Sequence, residues 1–318
     1  MNSYQRVIHA ITHEPGSPVA RGELVIDRGF SRAYLNWRMN DPAADVLTDT
    51  SLLLACCRFL KLDLVCVPAD SEAGQASILS PPAEDIDQFA DEGLFVFWLV
   101  DGAFQSAMTD LGMTALMTAM ARAPADFVQD LQQRCQTVMA TMVRGVGAGV
   151  HGVIIAEDIA YGQGTYMSPD FIEHYLLPVW QAQVEAAHGL GVPVFFHSDG
   201  NVRAVLPHIV EAGFDGLQCI EPAAGMDMNA IQAQYGERLC LMGNIDPALL
   251  CGPDPSGQAA SDRGGLKRAV KHVTALGGRG GLIFGTCSGL HTGMLPERVH
   301  YMYQLAAQSD MDPSGAPS

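Results

Sequence analysis

Residues 194–221 read VFFHSDGNVRAVLPHIVEAGFDGLQCIE, and this stretch decides the fold. The apolar run Val194–Phe196 stops abruptly at His197, Ser198 and Asp199. Its lack of polar alternation marks a strand buried on both faces. Beyond Asn201, apolar residues Val202, Val205, Leu206, Ile209 and Val210 recur at the i, i+3, i+4 spacing of a helix, and Gly213 is placed to close it. Pro207 falls inside that pattern, so the helix begins late or bends there. A second short apolar run, Leu217–Ile220, follows and ends at Glu221. The strand starts Val194 and Leu217 lie 23 residues apart, and Leu217 and Leu239 lie 22 apart. That spacing holds one strand, one helix and two short loops.

Working outward, the same unit repeats. Candidate strands are Leu24–Ile26, Leu64–Val67, Phe95–Val100, Val153–Ile155, Val194–Phe196, Leu217–Ile220, Leu239–Met242 and Leu282–Phe284. Asp227 is a suitable N-cap for a helix running to Tyr235, with Gly236 after it. The long interval from Val100 to Val153 has room for additional helices. Eight strands alternating with helices predict an α/β chain folded as a single (β/α)8 TIM barrel over residues 1–307, with extra helices before Leu24. Residues 308–318, ending Asp-Pro-Ser-Gly-Ala-Pro-Ser, read as a disordered tail.

A formal charge of −17 argues against a nucleic-acid partner, whose phosphates such a surface repels. No window approaches the roughly 18 uninterrupted apolar residues of a membrane span, and the first residues lack the form of a signal peptide, so a cytoplasmic protein is expected. The eight cysteines are scattered through apolar runs without a CxxC pair. They are expected to be mostly small core residues in a reducing compartment, and any metal site must draw on distant segments.

In a barrel of this kind the chemistry sits at the carboxyl ends of the strands. Polar residues recur there: Asp27 and Arg28, Asp70, Asp101, Glu157 and Asp158, His197 and Asp199, Glu221, Asn244 and Asp246, and Cys287. Loops are polar in any protein. The mixture of an imidazole, carboxylates and a thiol at strand ends that converge on one mouth is more specific.

Three segments resemble the uroporphyrinogen decarboxylase superfamily. LMGNIDPALL (241–250) is similar to its Gly-Asn-x-Asp-Pro segment after strand seven. EDIAYGQGTYMSPDFIEHYLLPVW (157–180) looks like its segment after strand four, and GTCSGLHTGMLPERV (285–299) resembles its closing strand and the helix start beyond. The resemblance implies the same barrel. It leaves two branches, tetrapyrrole decarboxylases and zinc-dependent corrinoid methyltransferases.

The methyltransferase branch carries His-x-Cys after strand five and a further cysteine after strand eight as zinc ligands. Here those positions read His197-Ser198-Asp199 and Cys287. The resemblance therefore implies Zn²⁺ on His197 and Cys287, with Glu221 in place of the missing cysteine, or with Asp199 as ligand or as a partner orienting His197. It implies catalytic roles for His197, Asp199, Asp70 and Arg28. Substrate contacts would come from Arg32, Glu157, Asp158, Tyr161, Asn244, Asp246 and His291. The expected activity moves a methyl group between a small-molecule substrate or thiol and a corrinoid (cobalamin) carried on a separate protein. A homodimer is compatible with this reading.

The decarboxylase alternative draws on DRGFSRAYL (27–35), where Arg28 and Arg32 are similar to the arginine element that holds substrate carboxylates in that branch. Asp70, seven residues after Asp63, echoes an Asp-x6-Asp segment there, and His291 stands near the decarboxylase histidine. A substrate with eight carboxylates wants more arginines than this mouth offers. A third expectation is a barrel that binds a small molecule without catalysis.

Overall fold

The computed structural model describes residues 1–40, 42–69, 77–122, 124–252 and 263–309. Eight parallel strands form one sheet: β1 (Ala20–Arg21), β2 (Leu64–Pro68), β3 (Phe95–Asp101), β4 (Gly152–Ala156), β7 (Val194–His197), β8 (Gly216–Cys219), β9 (Cys240–Ile245) and β10 (Leu282–Thr286). A two-stranded antiparallel hairpin, β5 (Ala160–Tyr161) and β6 (Gly164–Thr165), follows β4. The order around the sheet is β1-β10-β9-β8-β7-β4-β3-β2, which returns β2 to the side of β1. There Asp63 N donates to Arg21 O at 2.7 Å, while Arg21 N donates to the Asp63 carboxylate at 3.0 Å, so a side chain completes the closure. The fold is the expected TIM barrel.

Continuous apolar strands follow from two-sided burial. On β3, Phe95, Phe97 and Leu99 point into the barrel, whereas Val96, Trp98 and Val100 pack under the helices. Phe95, Phe97 and Phe195 form a tilted aromatic layer with centroids 4.8 and 5.1 Å apart. Burying each such ring contributes roughly 1.5–3 kcal/mol. Helix Ser3–Ile11 covers the amino-terminal end of the barrel through Val7 and Ala10, and the three helices Ala103–Leu111, Met113–Arg122 and Pro124–Gly147 fill the long interval after β3.

The first strand differs from the expected Leu24–Ile26. Pairing occurs at Ala20 and Arg21, with Ile283 and Phe284 as partners. The ladder then stops because the Glu23 carboxylate, rather than a backbone carbonyl, accepts the Thr286 N–H. Leu24 and Val25 are thereby released toward the mouth, and Ile26 keeps one isolated bridge to Leu290. After Asn201 the helix starts late, as Pro207 requires: a 3-10 turn, Arg203–Val205, leads into Leu206–Ala212. Gly213 ends it in the left-handed region, and Asp227 caps Met228–Tyr235. The last helix, Pro296–Ser309, includes Gln308 and Ser309; the rest of the expected tail lies outside the described residues.

Candidate functional site

Alternation on β7 turns Phe195 and His197 inward, and His197 is paired in register with Gln218 of β8. The two side chains meet: the His197 Nδ1 edge hydrogen-bonds Gln218 Oε1, and Gln218 Nε2 donates to the Cys287 carbonyl at 3.1 Å. This geometry fixes the tautomer. A carbonyl only accepts, so the amide nitrogen of Gln218 faces Cys287, and its oxygen faces the ring, where Nδ1 must donate. The lone pair of neutral His197 is then on Nε2.

Nε2 lies 3.6 Å from Asp158 Oδ1, and single donor atoms from Asp158, His197 and Asp199 all fall within 4.8 Å of one another. Asp199 N donates to Asp158 Oδ1 at 3.1 Å, locking the two loops together. A ring lone pair and two carboxylates facing one point repel each other. A cation between the groups would stabilise the arrangement. His197 is buried, Asp158 half-buried and Asp199 exposed, so the cluster opens to solvent on one side.

The loop after β7 is held from both sides. Gly200, at φ +81°, packs against the hairpin, where a Cβ would come within 2.7 Å of Tyr161 N. Its own N–H donates to Glu221 Oε2 at 3.1 Å. Glu221 thus contacts the loop backbone, and it is not among the three residues whose donor atoms meet.

Cys287 follows β10, its N–H donating to Ile245 O at 3.1 Å. Its free thiol is in hydrogen-bond contact with that of Cys219, which in turn donates to Asp199 Oδ1 at 3.2 Å. Contact with Cys287, then burial, then Asp199 raise the Cys219 thiol well above its ordinary range. Cys219 was expected to be a core cysteine. Strict alternation would turn it outward with Leu217, but the backbone takes φ +98° at Cys219 and +54° at Ile220. Asn244 Nδ2 holds the distorted Ile220 carbonyl, and Gly243 makes room for the Cys219 carbonyl, since a Cβ there would lie 2.5 Å from Cys219 O. The sequence signal was its position: Cys219 stands at a strand end, as His197 and Cys287 do.

A cavity of about 310 Å³ adjoins the cluster, with Asp158 and His197 in its wall. Leu24, Val25, Leu99 and Val100 supply apolar lining, and Asp101, Gln105, Ser106, Thr137 and Thr141 supply polar groups. No lysine or arginine lines it among the described residues. Glu157 is fully buried behind this wall. Burial pushes its carboxyl up to about 8, against hydrogen bonds from Gln105 N at 2.9 Å and Phe104 N at 3.4 Å at the start of helix Ala103–Leu111. Gln105 Oε1 in turn accepts from Asp158 N at 3.3 Å.

The other expected site residues are placed apart from the cluster or hold local structure. Arg28 makes two hydrogen bonds to Asp49, at 3.0 and 2.6 Å, and Arg32 is half-buried one turn on. Tyr161 is exposed and stacks on Tyr166 at 5.6 Å. Asp246 caps its own turn through Ala248 N at 2.8 Å, and His291 Nε2 donates to Ser288 O at 2.6 Å. Asp70 lies outside the described residues.

Among solved structures, the chain is similar to a methyltransferase from Methanosarcina mazei, with a TM-score of 0.75 at 17% identity over 97% of this chain and 99% of that one. It is also similar to a B12-independent methionine synthase from Shewanella sp. W3-18-1, with a TM-score of 0.53 at 11% identity over 83% and 86% of the two chains. Likenesses this distant in sequence establish the barrel. No curated protein matches. The model of the uroporphyrinogen decarboxylase (URO-D) family matches residues 102–309, from the end of β3 through the last helix, and the chain belongs to that family.

Proposed function

We propose that the protein is a methyltransferase in which a divalent metal, zinc by the chemistry of the donors, is held at the barrel mouth by His197, Asp158 and Asp199, with Cys287 as its one proposed thiolate ligand. The observation that carries this reading is the meeting of three electron-pair donors, within 4.8 Å of one another, on the wall of a small cavity. The donors fit such an ion: an imidazole whose free nitrogen is fixed by Gln218, carboxylate oxygens, and the Cys219 thiol within reach of the Asp199 carboxylate. Zinc bound there would stabilise a thiolate at neutral pH.

The chain's own residues do the rest. Gln218 keeps the Nε2 lone pair aimed at the carboxylates, and the Asp199–Asp158 hydrogen bond keeps the two loops in register. The cavity holds a small substrate against this wall and restricts water. A methyl-corrinoid, carried on a partner protein, is the proposed second substrate. The methyl group would pass from cobalt to a thiolate sulfur, with the bonding pair remaining on cobalt and the thiol proton leaving to solvent.

Tetrapyrrole decarboxylation fits less well, because a cavity of about 310 Å³ lined by Asp101 and Asp158 without a described cation repels a polycarboxylate. The test is demethylation of methylcobalamin in the presence of small thiols, followed by the loss of its visible absorbance. His197→Ala is expected to abolish the reaction while the fold persists. Uroporphyrinogen turnover by the unsubstituted protein, without methyl transfer, would replace this reading with decarboxylation.

A further inference from the structure

We infer that Cys219 is a ligand of this metal, so that the site binds through two thiolates, from Cys219 and Cys287, rather than one. The inference rests on the metal reading above and adds a residue to it.

Three observations carry it. Cys219 Sγ sits 3.2 Å from Asp199 Oδ1, and its free thiol is also in hydrogen-bond contact with the Cys287 thiol, so it stands between the carboxylate of the donor cluster and the second thiol. Two successive non-glycine residues, Cys219 and Ile220, are held in the left-handed region, which side chains other than glycine rarely adopt without strain. That distortion turns the side chain of residue 219 from the helix-facing side toward the mouth. The spacing also suits a metal: ions with metal–sulfur near 2.3 Å and metal–oxygen near 2.0 Å separate such ligands by about 3.5 Å in a tetrahedron. The proton that now joins sulfur to oxygen lies where the ion would bind.

Binding is a proton exchange without oxidation or reduction. Each thiol releases one proton to solvent as its sulfur bonds the ion, so one divalent ion displaces about two protons. Thiolates then favour zinc or cobalt over magnesium, calcium or manganese.

Co²⁺ titration of the full chain tests this, because thiolate-to-cobalt absorption in the near ultraviolet scales with the number of sulfur ligands. The unsubstituted protein should show a two-thiolate band and release about two protons per ion. Cys219→Ser should lose about half of both signals, as should Cys287→Ser, whereas Cys251→Ser should lose neither. A second measurement needs no variant: bound Zn²⁺ should slow alkylation of Cys219 at least tenfold, read by peptide mass spectrometry. If Co²⁺ binds but Cys219→Ser leaves the band unchanged, or Zn²⁺ leaves Cys219 alkylation unchanged, this inference is wrong and the metal reading stands. If neither ion binds the unsubstituted protein, both fall.

Discussion

His197 and Gln218 are register partners across β7 and β8, and the amide of Gln218 joins the imidazole to the carbonyl of Cys287, the residue after β10. One buried side chain therefore sets the histidine tautomer and ties together three of the strands that build the mouth. Replacing it by an apolar residue leaves the Nδ1 proton and the Cys287 carbonyl without that partner, at a cost of roughly 1–3 kcal/mol. Gln218→Leu should also weaken zinc binding by about 10- to 100-fold while His197 is still present. Competition with a chelating dye measures this. An affinity within twofold of the unsubstituted protein would show that Gln218 does not orient the ring.

The barrel and the convergence of strand ends were legible because both-face burial writes uninterrupted apolar runs, and because His197, Asp199 and Cys287 each end such a run. The ligand grouping was less legible. Asp158 was read as a substrate contact; the pairing of β4 with β7 and the Asp199–Asp158 hydrogen bond bring it to His197. Glu221 looked equivalent from its strand-end position, yet its carboxylate is engaged by Gly200 N. Cys219 was hidden by alternation, which breaks at two left-handed residues that no local sequence signal marks. The first strand was misplaced because a side chain, Glu23, takes over its ladder.

Glu23 makes stability depend on pH. Burial pushes its carboxyl up to about 7, against hydrogen bonds from Thr286 and Tyr303. Between pH 4.5 and about 7 the folded protein keeps this proton, while the unfolded chain, with a carboxyl near 4.5, has released it. The folded state binds more protons across that window, so stability is greatest below it and falls as pH rises toward 7. The slope from this group is about 1.4 kcal/mol per pH unit. Urea unfolding at pH 5, 6 and 7 should show Glu23→Gln flattening the decline, and parallel curves for the two proteins would contradict the assignment.

Asp63 closes the barrel through two backbone contacts and lies 3.5 Å from Arg21 Nε. Asp63→Ala should destabilise the protein by about 3 kcal/mol, since it removes an acceptor and strands buried charge. A shift in unfolding free energy below about 1 kcal/mol would mean that the β1–β2 seam holds without it.

Arg28 is engaged by Asp49, so it is expected to act on stability rather than on substrate. The pair is partly exposed, and solvent screening limits Arg28→Met to a loss of about 1 kcal/mol. Methyl-transfer KM should be unchanged. A tenfold rise in KM at unchanged stability would return Arg28 to the substrate site.

The proposed activity needs a metal where His197, Asp158 and Asp199 meet. Anomalous diffraction at the zinc edge, from crystals grown with Zn²⁺, tests it most directly. A peak is expected about 2.0–2.1 Å from His197 Nε2, with carboxylate oxygen and cysteine sulfur completing the coordination. An empty mouth at full zinc saturation, or zinc bound only elsewhere on the chain, would contradict it.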